Sequence, residues 1–328
     1  MRGVGALPIL AAALLAAACS RAEERPRAVR PRLTARPPAP SLMFVSVASD
    51  DTFERVAIGS LANPQSGAFV SNLSCKRVYF AADRGICLTT GGAPGAEGPV
   101  TTWAADVFDR DFTRLHRIPL DGLPSRVRVS PDGRRAAATM FVSGHSYASG
   151  FSTETAILDL VAGEIVADLE TLETWRDGRF VWAEDFNFWG VTFASDSDTF
   201  YATLDTEGIS YLVKGSVDQG VMRVLHPRVE CPSLSPDNKR IAFKKRIGKR
   251  ELGWWQLAVL DLDSMTETLV HRETRSVDDQ VEWLDNERVA YYLSMDQVTP
   301  GVWAVRVDNS AAPQLILADA YSPAVIHR

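Results

Sequence analysis

The stretch Val127-Arg-Val-Ser-Pro-Asp132-Gly-Arg-Arg-Ala-Ala joins two apolar, strand-like runs through a tight turn that carries an aspartate. Three other stretches repeat this arrangement: Val191-Thr-Phe-Ala-Ser-Asp196-Ser-Asp-Thr-Phe-Tyr, Ser233-Leu-Ser-Pro-Asp237-Asn-Lys-Arg-Ile-Ala-Phe and Val281-Glu-Trp-Leu-Asp285-Asn-Glu-Arg-Val-Ala-Tyr. Repeats at roughly 40 to 60 residues, each with a hairpin turn and strand periodicity, are typical of a β-propeller. Because one four-stranded blade has too little core to be stable alone, the repeats predict a closed all-β ring.

The strand patterns around these turns predict six blades. Four blades contain the aspartate turns, and a weaker copy before them has an expected inner strand at Phe69-Val. The sixth blade is divided between the two ends of the chain. Met43–Val47 and Arg55–Ile58 read as its middle and outer strands, and Ala324–Ile326 reads as its inner strand. We therefore expect the C-terminal strand to pair with the N-terminal blade, which closes the ring and buries both open sheet edges.

The first residues predict export. The apolar run Leu7–Ala18 is too short to span a bilayer comfortably, so residues 1–18 read as a cleaved signal peptide. Leu15-Ala-Ala-Ala-Cys19 resembles the lipobox of bacterial lipoproteins, although Ala16 stands where leucine is usual. Cys19 is thus the expected lipid-attachment residue and the protein is expected on the outer face of the cell membrane. A plain signal peptide and a secreted protein are the alternative.

Residues 19–41 and 42–328 differ in composition. The first segment is rich in arginine and proline and has few large apolar side chains, which predicts a semi-extended tether that either rests on anionic lipid or is simply solvated. The second segment has the length of one closed all-β ring. The formal net charge of −6 argues against a nucleic-acid surface.

Three cysteines remain besides Cys19. Cys75 enters one strand and Cys87 lies beyond the following turn, which places them at opposite ends of a blade strand. No disulfide between them is therefore expected, although a register error of a few residues would restore it. Cys231 is the third.

The segments that lead into the inner strands should converge on one mouth of the central channel. They contribute Arg126, Asp185, Asn187, Glu230, Asp278, Asp279 and Gln280. Crowded carboxylates repel one another unless a cation compensates, so this mouth is a candidate site for a metal ion such as calcium or for a cationic ligand. The alternative is that each aspartate caps a neighbouring turn or pairs with an arginine. No other cofactor is expected.

Four further residues are candidate contacts at the rim of the propeller: His145, Tyr147, Trp182 and Trp254. The segment Gly144-His-Ser-Tyr-Ala148 is similar to a nucleophile elbow, but alanine replaces the final glycine and no helical pattern follows. The sequence therefore predicts no catalysis. The repeated turn aspartates are expected to accept local N–H bonds.

The Ser-Pro-Asp-Gly-type turns resemble the WD40-like propeller repeats of the TolB family, which are also similar to the propellers of prolyl-oligopeptidase-like enzymes. The resemblance covers nearly everything after Leu42. Asn187–Ala194, Val229–Pro236 and Val277–Trp283 resemble a group of actinobacterial exported TolB-like propellers. For TolB itself the family implies a periplasmic protein that docks lipoproteins and colicins. The α/β domain that precedes that propeller has no counterpart in this sequence, so TolB's own partners are not expected.

These features predict a membrane-tethered, extracytoplasmic propeller that acts as a monomeric scaffold for an unknown protein or peptide. The alternative is a receptor for a small ligand or cation at the acidic mouth. Because a propeller is a platform for unrelated activities, the fold alone does not decide between them.

Overall fold

The computed structural model describes residues 30–91, 102–146, 150–249, 253–294 and 299–327. Within these ranges the chain forms six separate sheets, which are antiparallel except for one parallel strand pair at the edge of the six-stranded sheet. The innermost strands of successive sheets contact one another in a closed cycle. This arrangement confirms the predicted six-bladed β-propeller.

The strands are numbered in chain order. The first half of the chain forms β1 (Ser41–Ser46), β2 (Arg55–Ser60), β3 (Ala68–Ser74), β4 (Arg77–Ala81), β5 (Arg84–Thr90), β6 (Trp103–Asp109), β7 (Arg114–Leu120), β8 (Leu123–Val129), β9 (Arg135–Ser146), β10 (Gly150–Asp159), β11 (Glu164–Asp168), β12 (Glu173–Arg176) and β13 (Arg179–Val181). The second half forms β14 (Asn187–Phe193), β15 (Thr199–Thr206), β16 (Ile209–Ser216), β17 (Val221–Pro227), β18 (Glu230–Leu234), β19 (Arg240–Arg246), β20 (Trp255–Asp261), β21 (Glu267–Leu269), β22 (Glu282–Trp283), β23 (Arg288–Leu293), β24 (Gly301–Arg306), β25 (Gln314–Ala318) and β26 (Ala320–Ile326). Short 3-10 helices occupy Pro64–Ser66 and Leu169–Thr171.

The blades, from inner to outer strand, are β26-β1-β2-β3 (blade 1), β4 to β7 (blade 2), β8 to β11 (blade 3), β14 to β17 (blade 4), β18 to β21 (blade 5) and β22 to β25 (blade 6). In the described part of the chain, six hydrophobic clusters fill the spaces between neighbouring blades. Each blade thus buries both faces against its neighbours, because successive side chains of a strand point to opposite faces.

The C-terminal strand closes the ring as predicted. Strand β26 pairs antiparallel with β1, with Ser41 opposite Ile326 and Leu42 opposite Val325. Leu42 and Val325 lie in the hydrophobic cluster that joins blades 6 and 1. The two ends of the described chain are therefore held together by one blade.

The turn aspartates accept local hydrogen bonds, as expected. Asp132 Oδ1 accepts from Ser130 Oγ at 2.6 Å and from Arg134 N at 3.0 Å, and Asp196, Asp237 and Asp285 make corresponding contacts. Three of the four turns also contact the next blade. The backbone N–H groups of Asp132, Ser195 and Asp237 donate to the side chains of Ser197, Asn238 and Asn286, at 3.1, 3.0 and 3.1 Å respectively. The turns therefore form one hydrogen-bonded belt on one face of the ring.

Two expectations about blade 2 are wrong. Phe69 lies in β3, the outer strand of blade 1, and the inner strand of blade 2 begins at Arg77. The expectation of no disulfide is also wrong, because Cys75 and Cys87 are bonded with their Cα atoms 5.3 Å apart. The chain reverses between β4 and β5, so Cys87 returns to a position opposite Val78 near the start of β4. Cys231 is a buried free cysteine.

Blade 4 carries an addition that the sequence did not predict. Strand β12 pairs parallel to the outer strand β17, and β13 folds back on β12 to give a six-stranded sheet. The turn residues Asp177 and Gly178 both have left-handed backbones, with φ of 51° and 74°. Two such residues form the type I′ turn that matches strand twist, so this Asp-Gly pair suits a tight hairpin.

The predicted signal peptide and Cys19 lie outside the described residues. The described end of the predicted tether lies against the propeller, because Arg36 stacks over Phe112 with its guanidinium carbon 4.5 Å from the ring centroid. Leu33 N also donates to Ala68 O at 2.9 Å. No helix within the described ranges is long and apolar enough to cross a membrane.

Candidate functional site at the channel mouth

One face of the ring carries the starts of the inner strands. The aspartate belt lies at the other ends of these strands, so the segments before β8, β18 and β22 share the opposite face. The connection from β19 to β20 lies on the same face, since Glu230 pairs with Lys244 and Arg246 pairs with Trp255. We call this surface the mouth face.

The structure brings Arg126, Glu230 and Asp278 together through basic residues. Lys244 Nζ lies 2.5 Å from Asp278 Oδ1 and 3.8 Å from Glu230 Oε2, and Arg126 Nη2 lies 3.8 Å from Asp278 Oδ1. Arg246 forms an ion pair with Glu230. The Lys244 side chain is only 2% exposed, whereas that of Asp278 is 51% exposed. Asp278 therefore marks the point where this buried network reaches solvent.

Asp279 and Gln280 continue the network into the channel. Asp279 lies 3.9 Å from the Arg77 guanidinium and accepts from Tyr292 N at 3.0 Å. Gln280 Nε2 donates to the carbonyl oxygens of Val191 and Pro232 at 2.9 and 2.8 Å. The cavity beside them measures about 10 Å³, which is the space of about one water molecule. The described side chains therefore leave little open space at this level of the channel.

Further inside, Glu282 connects four blades. Its carboxylate accepts from Tyr79 Oη at 3.0 Å and from Val325 N at 3.0 Å, and it lies 3.4 Å from Arg128 Nη2. Burial raises the pKa of Glu282, and the positive charge of Arg128 opposes this shift. The carboxylate is thus held by one residue from each of blades 1, 2 and 3.

The charges of the mouth are balanced rather than acidic. The carboxylates of Glu230, Asp278, Asp279 and Glu282 each contact a basic side chain, among Arg77, Arg126, Arg128, Lys244 and Arg246. Burial favours the neutral form of Asp278, but the charges of Lys244 and Arg126 outweigh it and lower the pKa of this carboxyl. The paired arrangement corresponds to the alternative in which the acids bind local arginines.

Among the described residues, no group of three or more histidine, cysteine, aspartate or glutamate side chains could hold a metal ion. The possible cation, such as calcium, therefore stays a prediction for which the described residues supply no ligand set. Lysine and arginine occupy the positions where a cation would compensate the carboxylates.

Two predicted mouth residues have local roles. Asp185 accepts from Thr206 Oγ1 at 2.6 Å and from Glu207 N at 2.7 Å, so it caps the β15–β16 hairpin. These bonds lower the pKa of its carboxyl. Asn187 Oδ1 accepts from Thr153 N at 2.8 Å and thereby joins blades 3 and 4.

Two of the four predicted rim contacts are exposed side chains in the described part of the chain. Trp182 lies in the connection from β13 to β14 and is 65% exposed, and Trp254 lies on the mouth face and is 47% exposed. Tyr147 and the side chain of His145 lie outside the described residues. Ser146 ends β9 and Gly150 begins the antiparallel β10, so the elbow-like segment connects two strands of a hairpin.

Apart from Arg126, sequence reasoning missed the basic residues of the mouth. Arg77, Lys244 and Arg246 lie at or near strand ends and supply much of its positive charge. The run Phe243-Lys-Lys-Arg246 could have indicated these residues. A lysine in a strand that is buried between two blades is expected to form an ion pair with a carboxylate.

No protein-family model matches the sequence, and no curated protein matches it. Solved structures do match. TolB from Acinetobacter baumannii superposes with a TM-score of 0.61 at 14% identity, over 87% of this chain and 65% of that one. The chain has the TolB-like β-propeller fold. The chain spans less than two thirds of the Acinetobacter structure. A protein of Agrobacterium tumefaciens assigned to TolB superposes with a TM-score of 0.51 at 11% identity, over 86% of this chain and 90% of that protein.

A third similar structure corrects the prediction of no catalysis. It is a puromycin-hydrolyzing peptidase of Mycobacterium tuberculosis, with a TM-score of 0.52 at 14% identity, over 87% of this chain and 44% of that one. The TolB-like propeller is thus shared with a chain described as an enzyme. The fold therefore gives no ground for separating this chain from enzymes, and the prediction is withdrawn.

Proposed function

We propose that the protein is a scaffold that binds a protein or peptide on the mouth face. The supporting observation is an exposed indole beside the charged mouth. Trp254 is 47% exposed and adjoins Trp255, whose carbonyl oxygen accepts from Val277 N at 3.0 Å, so the backbone that carries this indole lies close to the segment that ends at the half-exposed Asp278. Aromatic side chains beside charged groups are typical anchors of protein interfaces.

Among the described residues, no contact at the mouth favours the alternative of a small-ligand or cation receptor. The described cavity below the mouth, of about 10 Å³, is far smaller than the usual site for a small organic ligand. A partner would therefore bind across the face rather than enter the channel.

Site-specific photo-crosslinking in cells tests this proposal. A photoreactive amino acid at Trp254 or Trp182 should give a discrete crosslinked product with a partner. The matched control is Val161, which is 44% exposed in the turn between β10 and β11, on the face of the aspartate belt. Products of equal yield at Val161 and Trp254, or none at Trp254, would refute binding on the mouth face.

We also propose that residues 1–18 are a signal peptide, that Cys19 carries a lipid, and that the propeller works outside the cytoplasm. The Cys75–Cys87 disulfide supports this location, because stable disulfides are typical of oxidising compartments. Residues 42–328 are the proposed propeller domain, and residues 19–41 the proposed tether.

Fractionation of cells that produce the Cys19→Ser variant tests the anchor. Wild-type protein is expected in the membrane fraction, and the variant is expected in the medium or the soluble extracytoplasmic fraction. A variant that stays in the membrane fraction would contradict lipid attachment at Cys19. Wild-type protein in the medium would instead support the secreted alternative.

A further inference from the structure

An open groove of about 740 Å³ lies between blades 4 and 5, apart from the channel mouth. Blade 4 supplies one wall with Arg176, Tyr211 and the segment from Val224 to Arg228, and blade 5 supplies the other with Lys245 and Glu267. The volume falls within the range of about 300–1,000 Å³ that is usual for ligand sites. None of these residues belongs to the network at the mouth.

The additional hairpin of blade 4 positions one guanidinium at this groove. Arg176 ends β12, directly before the tight turn at Asp177 and Gly178. Its guanidinium carbon lies 4.7 Å from the centroid of the Tyr211 ring. An arginine stacked on an aromatic face is oriented before a ligand arrives, which lowers the entropy cost of a hydrogen bond to a carboxylate.

The groove has an excess of positive charge. Arg176 and Arg228 are exposed, and neither has an ion-pair partner among the residues that the structure describes. Glu267 is already engaged, since its carboxylate contacts Lys245 and lies 2.9 Å from His226 Nε2. Asp177 is the remaining acid of the lining. This local excess of positive charge attracts acidic groups.

Apolar side chains border the same groove. Ile209 and Leu225 line it and are 41% and 39% exposed. An extended peptide presents its side chains alternately, so it could direct acidic groups to the arginines and apolar groups to these two side chains.

We propose that this groove binds an extended peptide segment of a partner protein in which acidic and apolar residues alternate. The inference rests on the proposed scaffold function and specifies the chemistry of the partner. The proposal rests on the guanidinium groups of Arg176 and Arg228, which have no carboxylate partner among the described residues, and on the apolar border of the groove. The proposed ligand supplies both the missing carboxylates and the apolar cover.

Fluorescence anisotropy with a labelled peptide of alternating glutamate and leucine tests the proposal. The wild-type protein should bind this peptide more tightly than a peptide of alternating lysine and leucine. The variant Arg176→Ala/Arg228→Ala should weaken binding at least about tenfold, because two hydrogen bonds to charged groups are lost. Circular dichroism checks that the variant stays folded.

The matched control is Arg134→Ala/Arg272→Ala, which removes the same charge from exposed positions outside the groove. It should leave the affinity within about twofold of wild type, since distant surface charges are screened. Equal weakening in both variants, or equal binding of the two peptides, would overturn the proposal. Crosslinking at Trp254 without peptide binding would overturn the groove inference alone and leave the scaffold function intact.

Discussion

At the scale of single residues, Glu170 is the clearest source of pH dependence. Its carboxyl group is buried close to Asp168, and Asp168 Oδ1 accepts from the backbone N–H of Glu170 at 3.0 Å. Burial raises the pKa of Glu170 to about 9, and the neighbouring Asp168 carboxylate adds to the shift. A carboxyl whose folded pKa is raised contributes stability below its unfolded pKa, and this contribution is lost as the pH rises through the folded value.

We therefore expect Glu170→Gln to raise the melting temperature at about pH 8, by at least about 2 °C, because glutamine remains neutral there. At about pH 4, where both forms are neutral, the difference should vanish. Differential scanning calorimetry at the two pH values measures this. The control Glu164→Gln changes an exposed residue at the start of β11 and should have no effect at either pH. A Glu170→Gln melting temperature equal to wild type at pH 8 would contradict the assignment.

At the scale of elements, Glu282 in β22 holds β4, β8 and β26 together through Tyr79, Arg128 and Val325. Arg128→Met is expected to lower the free energy of unfolding by about 3–5 kcal/mol, because it leaves a buried carboxylate without its cation. The measurement is urea denaturation followed by tryptophan fluorescence.

The double variant Arg128→Met/Glu282→Gln provides the internal control. Removing both charges together should cost less than the sum of the two single changes, since no buried charge is then left unpaired. Additive losses would show that the two residues stabilise the ring independently.

At the scale of the whole molecule, the ring depends on its last strand. Removing residues 322–328 deletes the part of β26 that pairs with Ser41–Met43 and the Val325 N–H that Glu282 accepts. We expect cooperative unfolding to be lost or shifted down by more than about 5 °C in circular dichroism, since both sheet edges become exposed.

Removing only residues 327 and 328 spares β26 and should leave the transition unchanged. A protein that tolerates the longer deletion without a change in melting temperature would show that closure contributes little to stability.

The architecture was predictable because the aspartate turns are local. Asp132 and Asp237 accept hydrogen bonds from residues two positions away, so a short window of sequence carries the whole motif. The Cys75–Cys87 bond was missed for the opposite reason, since it depends on where β4 reverses into β5.

The mouth was only partly predictable. Glu230 and Asp278 were recognised from their positions at the starts of inner strands. Lys244, which contacts both, lies inside β19, the second strand of blade 5. The added hairpin at Arg176 has no counterpart in the other described blades, so repetition could not reveal it. Contacts between distant segments require the three-dimensional register, which a repeat pattern does not contain.

The pairing of Ser41 with Ile326 places the two ends of the propeller side by side, so the fold does not require the chain to begin in blade 1. A short linker from residue 326 to residue 41 would make the chain circular, and new chain ends could then be placed at Gly178 in an exposed tight turn. Such a circular permutant should keep every blade in place, because the architecture fixes neighbours around the axis and not the point at which synthesis starts.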